Sequence, residues 1–414
     1  MSNLAEQLYF SKEAAEYLGI TVQRLNKLVQ DGKIKPLKKN SSGTVYHIDE
    51  LNKRKEELRI FTEVRQGEDK GMFRFDTKEK IEALNFATLM NALNYTEKKL
   101  EPLFDEFSKD HAIDVLMDSE DAYKAYAAFF KIDPFYLFDE YKKAYKAFLT
   151  LRENDEIIKR GSYDYPPLLM QTKDAPRFLY IRGKKSLLFE ERTVALVGSR
   201  QASENAKSNT RSLADALGKN GITIVSGLAK GIDISAHAEA LRMGFNTIAV
   251  IGTNLNQYYP SENKEVQLEI ERKGLVVSQF SPASKTERWF FPLRNGVMSG
   301  LSLATVIMEA GETSGALKQA DFALKQGRQI LIPESALHLE TVTWPAKYVE
   351  RGAIPVRKPS DVLERLAENN IFQVKREEPV QQTLVDYLED LGKTAEQETK
   401  SFISEWNDPI LVED

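Results

Sequence analysis

Six short runs rich in β-branched residues constrain this chain more than any other feature. They are TVALVGS from Thr193, ITIVSG from Ile222, TIAVIGT from Thr247, LVVSQF from Leu275, ATVIMEA from Ala304 and QILIPES from Gln329. Amphipathic stretches of helical spacing separate several of them: Ala202 to Gly221, Asp233 to Gly244 and Gly315 to Gly327. A strand that is apolar throughout has no solvent face, so helices must cover it on both sides, and strands that alternate with helices pair in parallel. The expected fold class is therefore α/β, with a Rossmann-like, doubly wound, mainly parallel sheet. In such sheets ligands sit beyond the carboxyl ends of the strands.

Those ends are where glycine and polar residues collect. Gly198, Ser199 and Arg200 follow the first run, and Ser226, Gly227, Lys230 and Gly231 follow the second. Gly252-Thr253-Asn254 follows the third, and Glu309-Ala310-Gly311-Glu312-Thr313-Ser314-Gly315 follows another. Glycine lets backbone N–H groups approach an anion, helix N-termini add positive potential, and Arg200 and Lys230 add full charge. The pattern predicts a phosphate cradle. Neither the nucleotide-triphosphate P-loop spacing nor the dinucleotide G-x-G-x-x-G is present.

The chain has 414 residues, which leaves room for two or three domains. Residues 1–60 carry eleven Lys and Arg against eight Asp and Glu. Here Ser11 and Thr21 are expected to cap two short helices, stopped by Gly19 and Gly32, and a basic hairpin turns at Asn40-Ser41-Ser42-Gly43. The stretch SKEAAEYLGITVQRLNKLVQDGKI and the later YHIDEL resemble the winged helix-turn-helix of the MerR and excisionase type. That resemblance implies duplex contact by Gln23, Arg24 and Lys27 on the second helix and by Lys38 and Lys39 on the wing. The alternative is a small domain for protein contacts.

Residues 61–158 are expected to form a helical segment. Between 78 and 150 there is no glycine, and the two prolines are Pro102 and Pro134. The stripe Tyr123, Tyr126, Phe129 and Phe130 has helical spacing and reads as core rather than as a base-stacking platform. The sheet domain is placed at 159–366. The tail, 367–414, is expected to be helical in part, and from Glu377 onward it holds eleven acids against Lys393 and Lys400. Such a like-charged tail reads as solvated surface.

Composition excludes several classes. With no cysteine there is no disulfide, thiolate metal site or cysteine nucleophile, and four scattered histidines make no metal cluster. No apolar run approaches the length of a membrane span, and the first residues lack a secretory pattern. These features fit a cytoplasmic protein without a membrane partner, metal or cofactor. The net charge of -5 leaves nucleic-acid binding to local patches.

The matching stretches YPPLL, RFLYIRG, VALVGSR, SGLAKGIDISAHAEAL, TIAVIGTNLNQYYPSEN, FPLRN, SGLS, EAGETSGAL and GAIPV run in order from about residue 160 to 365. In content, order and spacing this region resembles the DNA-processing protein A family (DprA, also called Smf). The resemblance implies a single-stranded DNA-binding protein without catalysis or cofactor. Such a protein helps load the RecA recombinase in natural transformation and recombination, and is expected to form a homodimer. The family's phosphate pocket carries over to Gly198, Ser199, Arg200, Ser226, Gly227, Lys230 and Gly231, and to Arg294 and Asn295 as the first two positions of its R-N-R. Gly296 replaces the second arginine of that motif, and Gln279, Lys318-Gln319 and Pro333-Glu334 depart from the pattern as well.

The competing function is a nucleotide sensor or nucleotide-cleaving enzyme of a related fold, in a phage-defence or mobile-element locus. Asp233, His237 and Glu309 are the residues with positional logic for such chemistry. The bland reading has Asp233 orienting the glycine loop and His237 packed beneath the sheet edge.

Overall fold

The computed structural model describes residues 8–18, 21–30, 34–40, 43–52, 73–339 and 341–368, with the side chains of Arg24 and Asn40 left out. The stops at Gly19 and Gly32, the Ser41-Ser42 turn, the Arg24 side chain and the acidic tail from 369 lie outside that set. The chain divides into two compact units, residues 1–74 and 75–414.

In the first unit, β1 (Leu8–Phe10), β2 (Lys38–Asn40) and β3 (Gly43–His47) form an antiparallel sheet with β3 in the centre. Helices Ser11–Tyr17 and Val22–Gln30 present Ala14, Ala15, Leu18, Leu25 and Leu28 to a core closed by Ile34, Tyr46 and Leu51. Thr21 takes the capping position its sequence suggests, its carbonyl receiving Leu25 N–H. Ser11 does not: Phe10 is the cap, and its N–H donates to the Glu13 carboxylate at 2.9 Å. The apolar side chain before the helix cannot accept from the first turn, so the glutamate reaches back instead.

The second unit is built on a nine-stranded sheet in the order β12-β11-β10-β6-β7-β8-β9-β5-β4. All six expected runs are strands: β6 (Thr193–Val197), β7 (Thr223–Ser226), β8 (Thr247–Val250), β9 (Leu275–Ser278), β10 (Ala304–Ile307) and β11 (Gln329–Pro333). With β12 (Ile354–Val356) they pair in parallel, while β4 (Glu156–Lys159) and β5 (Phe178–Gly183) add an antiparallel edge beside β9. Alternate residues of β6 enter opposite cores. Val194 and Leu196 meet Leu213, Leu217 and Ala240, whereas Ala195 and Val197 join the cluster of Val297, Met298, Ala320 and Trp344. Helices thus cover both faces, which is why these strands read as unbroken apolar runs. The strand sequence runs outward from β6 through β9 and then restarts on the other side of β6 at β10.

Helices Lys78–Leu93, Glu97–Phe107, Glu120–Phe130 and Pro134–Phe148 belong to this same unit. Asp133 caps the last of them through Phe135 and Tyr136 N–H, with Pro134 in the first turn. The Tyr123–Phe130 stripe packs inward: Tyr126 lies 4.3 Å from Phe107, ring centre to ring centre, and Phe129 lies 5.2 Å from it. Buried Arg177 beside β5 fastens helix to sheet. Its guanidinium donates to Glu82 at 2.8 and 3.1 Å and to Asp105 at 2.7 Å. Among the described residues no helix is long and apolar enough to cross a membrane.

Candidate functional site

Strand order reverses between the neighbouring strands β6 and β10, so the loops after these two strands diverge and leave a crevice at their carboxyl ends. The crevice has a volume of about 730 Å³. Its walls come from the loop after β6 (Gly198, Ser199, Arg200), the segment Arg288–Asn295 and the loop Gly311–Gly315. The helix Gly315–Lys325 starts here, capped by Ser314, whose hydroxyl accepts the Ala316 N–H at 3.3 Å, and its N-terminus adds positive potential to this wall. Four cations line the crevice, Arg200, Arg288, Arg294 and Lys318, against one acid, Asp233. Arg200, Arg288 and Lys318 are exposed. Tyr259 stands on the rim, 52% exposed, its ring 5.1 Å from that of Phe291.

Beneath this opening lies a rigid floor. Arg294 is buried, and its Nη1 donates to the carbonyls of Gly227, at 2.6 Å, and Val250. Asp233, also buried, accepts the N–H groups of Gly227 at 3.2 Å and Ala229 at 3.4 Å. Burial lowers the Arg294 pKa to about 10, an effect Arg200 reinforces and Asp233 opposes. Burial likewise raises Asp233, against the pull of Arg294 and the two backbone donors. Gly227 is glycine because a Cβ there would occupy the space of the Arg294 guanidinium. Gly231 is glycine for two reasons: its φ is +76°, and a Cβ would strike the Ser199 carbonyl. Between them Leu228 holds φ at +58°, a conformation that side chains rarely adopt and that functional loops often store.

The residues singled out in the sequence therefore separate by place. Gly198, Ser199, Arg200, Arg294 and Asn295 line the crevice. Asn295 also donates to the Gly315 carbonyl at 3.3 Å, tying the two walls. Ser226 is buried and donates to the Leu196 carbonyl at 2.6 Å, bracing β6 against β7. Gly227 and Gly231 belong to the floor. Lys230 is exposed outside the lining and pairs with Glu262. The sequence reading missed Arg288, Lys318 and Tyr259. The one signal for Arg288 was a basic and aromatic cluster, KTERWFFPLRN, just before the R-N pair.

The three residues with catalytic position are engaged in structure. Asp233 orients the glycine loop as above. His237 is buried with Nδ1 at 2.8 Å from Thr247 Oγ1, and burial lowers its pKa to about 3, so it is neutral. Glu309 accepts the N–H of Ser203 at 3.0 Å and its hydroxyl at 2.6 Å, and Ser203 caps the helix Glu204–Lys219.

Residues 156–367 match the model of the DNA recombination-mediator protein A family. The chain belongs to this family. The DNA processing protein DprA of Bacillus subtilis is 32% identical over 232 residues, 56% of this chain and 78% of that protein. DprA of Streptococcus pneumoniae is 37% identical over 210 residues, half of this chain and 70% of that one. The crystal structure of the pneumococcal DprA matches with a TM-score of 0.56 at 28% identity, covering 70% of this chain and 97% of the other. Protein Smf of Synechocystis is 36% identical, but the chain spans half of its length. Membership in the DprA/Smf family favours a recombination mediator over a nucleotide-cleaving enzyme.

Proposed function

We propose that this protein binds single-stranded DNA without catalysis and passes it to a RecA-type recombinase. The strand's phosphates would lie in the crevice at the strand-order reversal. The single observation that carries this is the lining: four cations against one buried acid, three of the cations exposed, with an aromatic pair on the rim. Cations that follow a backbone, joined by rings on which any base can stack, give affinity without sequence reading. In this reading Arg200, Arg288 and Lys318 touch phosphate and Ser199 and the N-terminus of helix Gly315–Lys325 supply hydroxyl and N–H donors. Gly198, Ser226, Gly227, Gly231, Arg294 and Asn295 hold the crevice open, and Lys230 steers from outside it. No cofactor or metal is required.

The first unit is read as a winged helix-turn-helix that contacts duplex. Gln23 and Lys27 are exposed on the second helix, as are Lys38 and Lys39 on the hairpin, which supports a groove-and-wing arrangement. Arg24 would join them. We read the larger sheet as doubly wound and Rossmann-like, and the protein as a cytoplasmic homodimer, following the family.

The test is a titration of single-stranded DNA, duplex DNA and mononucleotides at two salt concentrations, with full-length protein and with residues 1–60 removed. The proposal expects strand binding by both forms, weaker at high salt, and reduced duplex binding by the shortened form. Tight mononucleotide binding with no strand binding would move the assignment to a nucleotide sensor.

A further inference from the structure

A second cavity, of about 380 Å³, lies on the other side of the segment 288–295 from the crevice. Arg288, Phe291 and Pro292 face the crevice, whereas Trp289, Phe290 and Leu293 line the cavity. Its interior is aromatic. Phe86 comes from the helix Lys78–Leu93, Phe178 and Tyr180 come from β5, and Phe280 stacks on Phe290 at 3.9 Å with the planes 3° apart. Trp289 stands edge-on to Phe290 at 4.6 Å and is 47% exposed, so an indole flanks the opening. Polar and charged groups interrupt the rings: Glu97, Gln279, Ser281 and Ser284, with Glu101, Asp174 and Arg160 beside them. Two exposed lysines, Lys98 and Lys173, also line it.

Gly296 packs closely against two residues of this lining. A Cβ there would lie 3.1 Å from the Phe322 ring and 3.3 Å from the Asp174 Cβ, and both residues line the cavity.

We propose that this cavity takes one unstacked nucleobase of the strand whose phosphates occupy the neighbouring crevice. The proposal rests on the single-stranded DNA reading above. A flat heteroaromatic ring fits a box of phenyl, phenol and indole faces, and its polar edge finds the carboxyl, amide and hydroxyl groups. Lys98 and Lys173 suit the phosphate that accompanies such a base. The shared segment 288–295 places both sites along one strand. A nucleobase is favoured over an apolar side chain of a protein partner because the box holds hydrogen-bonding groups inside and shares the segment 288–295 with the cation-lined crevice.

The experiment compares full-length protein binding to an oligothymidylate and to a strand of equal length built from abasic units. The variants are Trp289→Ala and Leu293→Ala, both at half-exposed positions where truncation leaves the core filled, and Arg200→Ala with Lys318→Ala. The cavity variants are expected to lose roughly ten-fold for the base-bearing strand, the scale of one base–aromatic stack, and nothing for the abasic strand. The crevice variant is expected to lose affinity for both. Should the cavity variants weaken both strands equally, or neither, the cavity holds no base and the crevice reading still stands. If wild type binds neither strand, the crevice reading fails and the cavity assignment falls with it. A strand carrying 2-aminopurine gives a second readout: its fluorescence should be quenched on binding wild type and less so on binding Trp289→Ala.

Discussion

Gly227→Ala separates a residue that touches a ligand from one that shapes the site. The new Cβ would stand where the Arg294 guanidinium lies. That guanidinium is held by the carbonyls of Gly227 and Val250 and is the electrostatic partner of Asp233, all buried. Moving it breaks at least one charged hydrogen bond, worth about 1.5–3 kcal/mol. It also weakens the electrostatic support of Asp233, which keeps its two backbone donors and the more distant Arg200. The expected loss is therefore about 2–3 kcal/mol. That is a large part of a typical domain's stability of roughly 5–15 kcal/mol. Urea unfolding should show a lower midpoint with an unchanged slope. The same substitution made in an Arg294→Met background should cost about 2 kcal/mol less, because the longest, most rigid part of the obstacle is gone. Additive effects of the two changes, or a Gly227→Ala protein as stable as wild type but defective in strand binding, would refute the floor and return Gly227 to the ligand.

Replacing Arg200, Arg288 and Lys318 together by alanine should lower the slope of log affinity against log salt by about 2, at roughly 0.7 per phosphate contact. Raising salt from about 50 to 200 mM would then cost wild type some twenty-fold, from this term alone, that the variant no longer loses; an equal slope in a folded variant contradicts the contacts. Lowering pH from about 6.5 towards 3 should destabilise the protein through His237. Its folded pKa lies below the unfolded value, so the unfolded chain binds the proton first, and His237→Gln should flatten that part of the stability profile. Glu97 works in the opposite sense. Burial raises it to about 7 beside Glu101, Arg160 and Arg177, so its contribution is fully present below about pH 4.5 and fades as pH rises through 7. Glu97→Gln should remove that fall in denaturation midpoints between pH 5 and 7. Glu309→Gln should cost about 1–2 kcal/mol through the Ser203 cap, with no turnover of nucleotides by wild type or variant. Free base released by wild type and abolished in the variant would restore the enzyme reading.

The sequence by itself determined the six central strands, the helices between β6, β7 and β8, and the crowding of glycine and cations at the strand ends. Period and composition carry that information locally, because a doubly covered strand has no alternative to an unbroken apolar run. β4, β5 and β12 were not read as strands. β4 and β12 are short edge strands, and β5, between β9 and β4, lies outside the strand–helix alternation and pairs antiparallel with β9, a neighbour distant in sequence. Ser11 illustrates the same limit at one residue, since the chain entering the helix from β1 makes Phe10 the cap. At the site, motif matching placed the right segments together but could not divide them. Arg294 and Arg200 look alike as letters, yet one is buried under two carbonyls and the other is exposed at the opening. Only tertiary structure decides which cation is desolvated and spent on the fold, and which remains hydrated and available to a phosphate. For the same reason Arg288, Lys318 and Tyr259, scattered over sixty residues of sequence, became one lining only when the strand order reversed between β6 and β10.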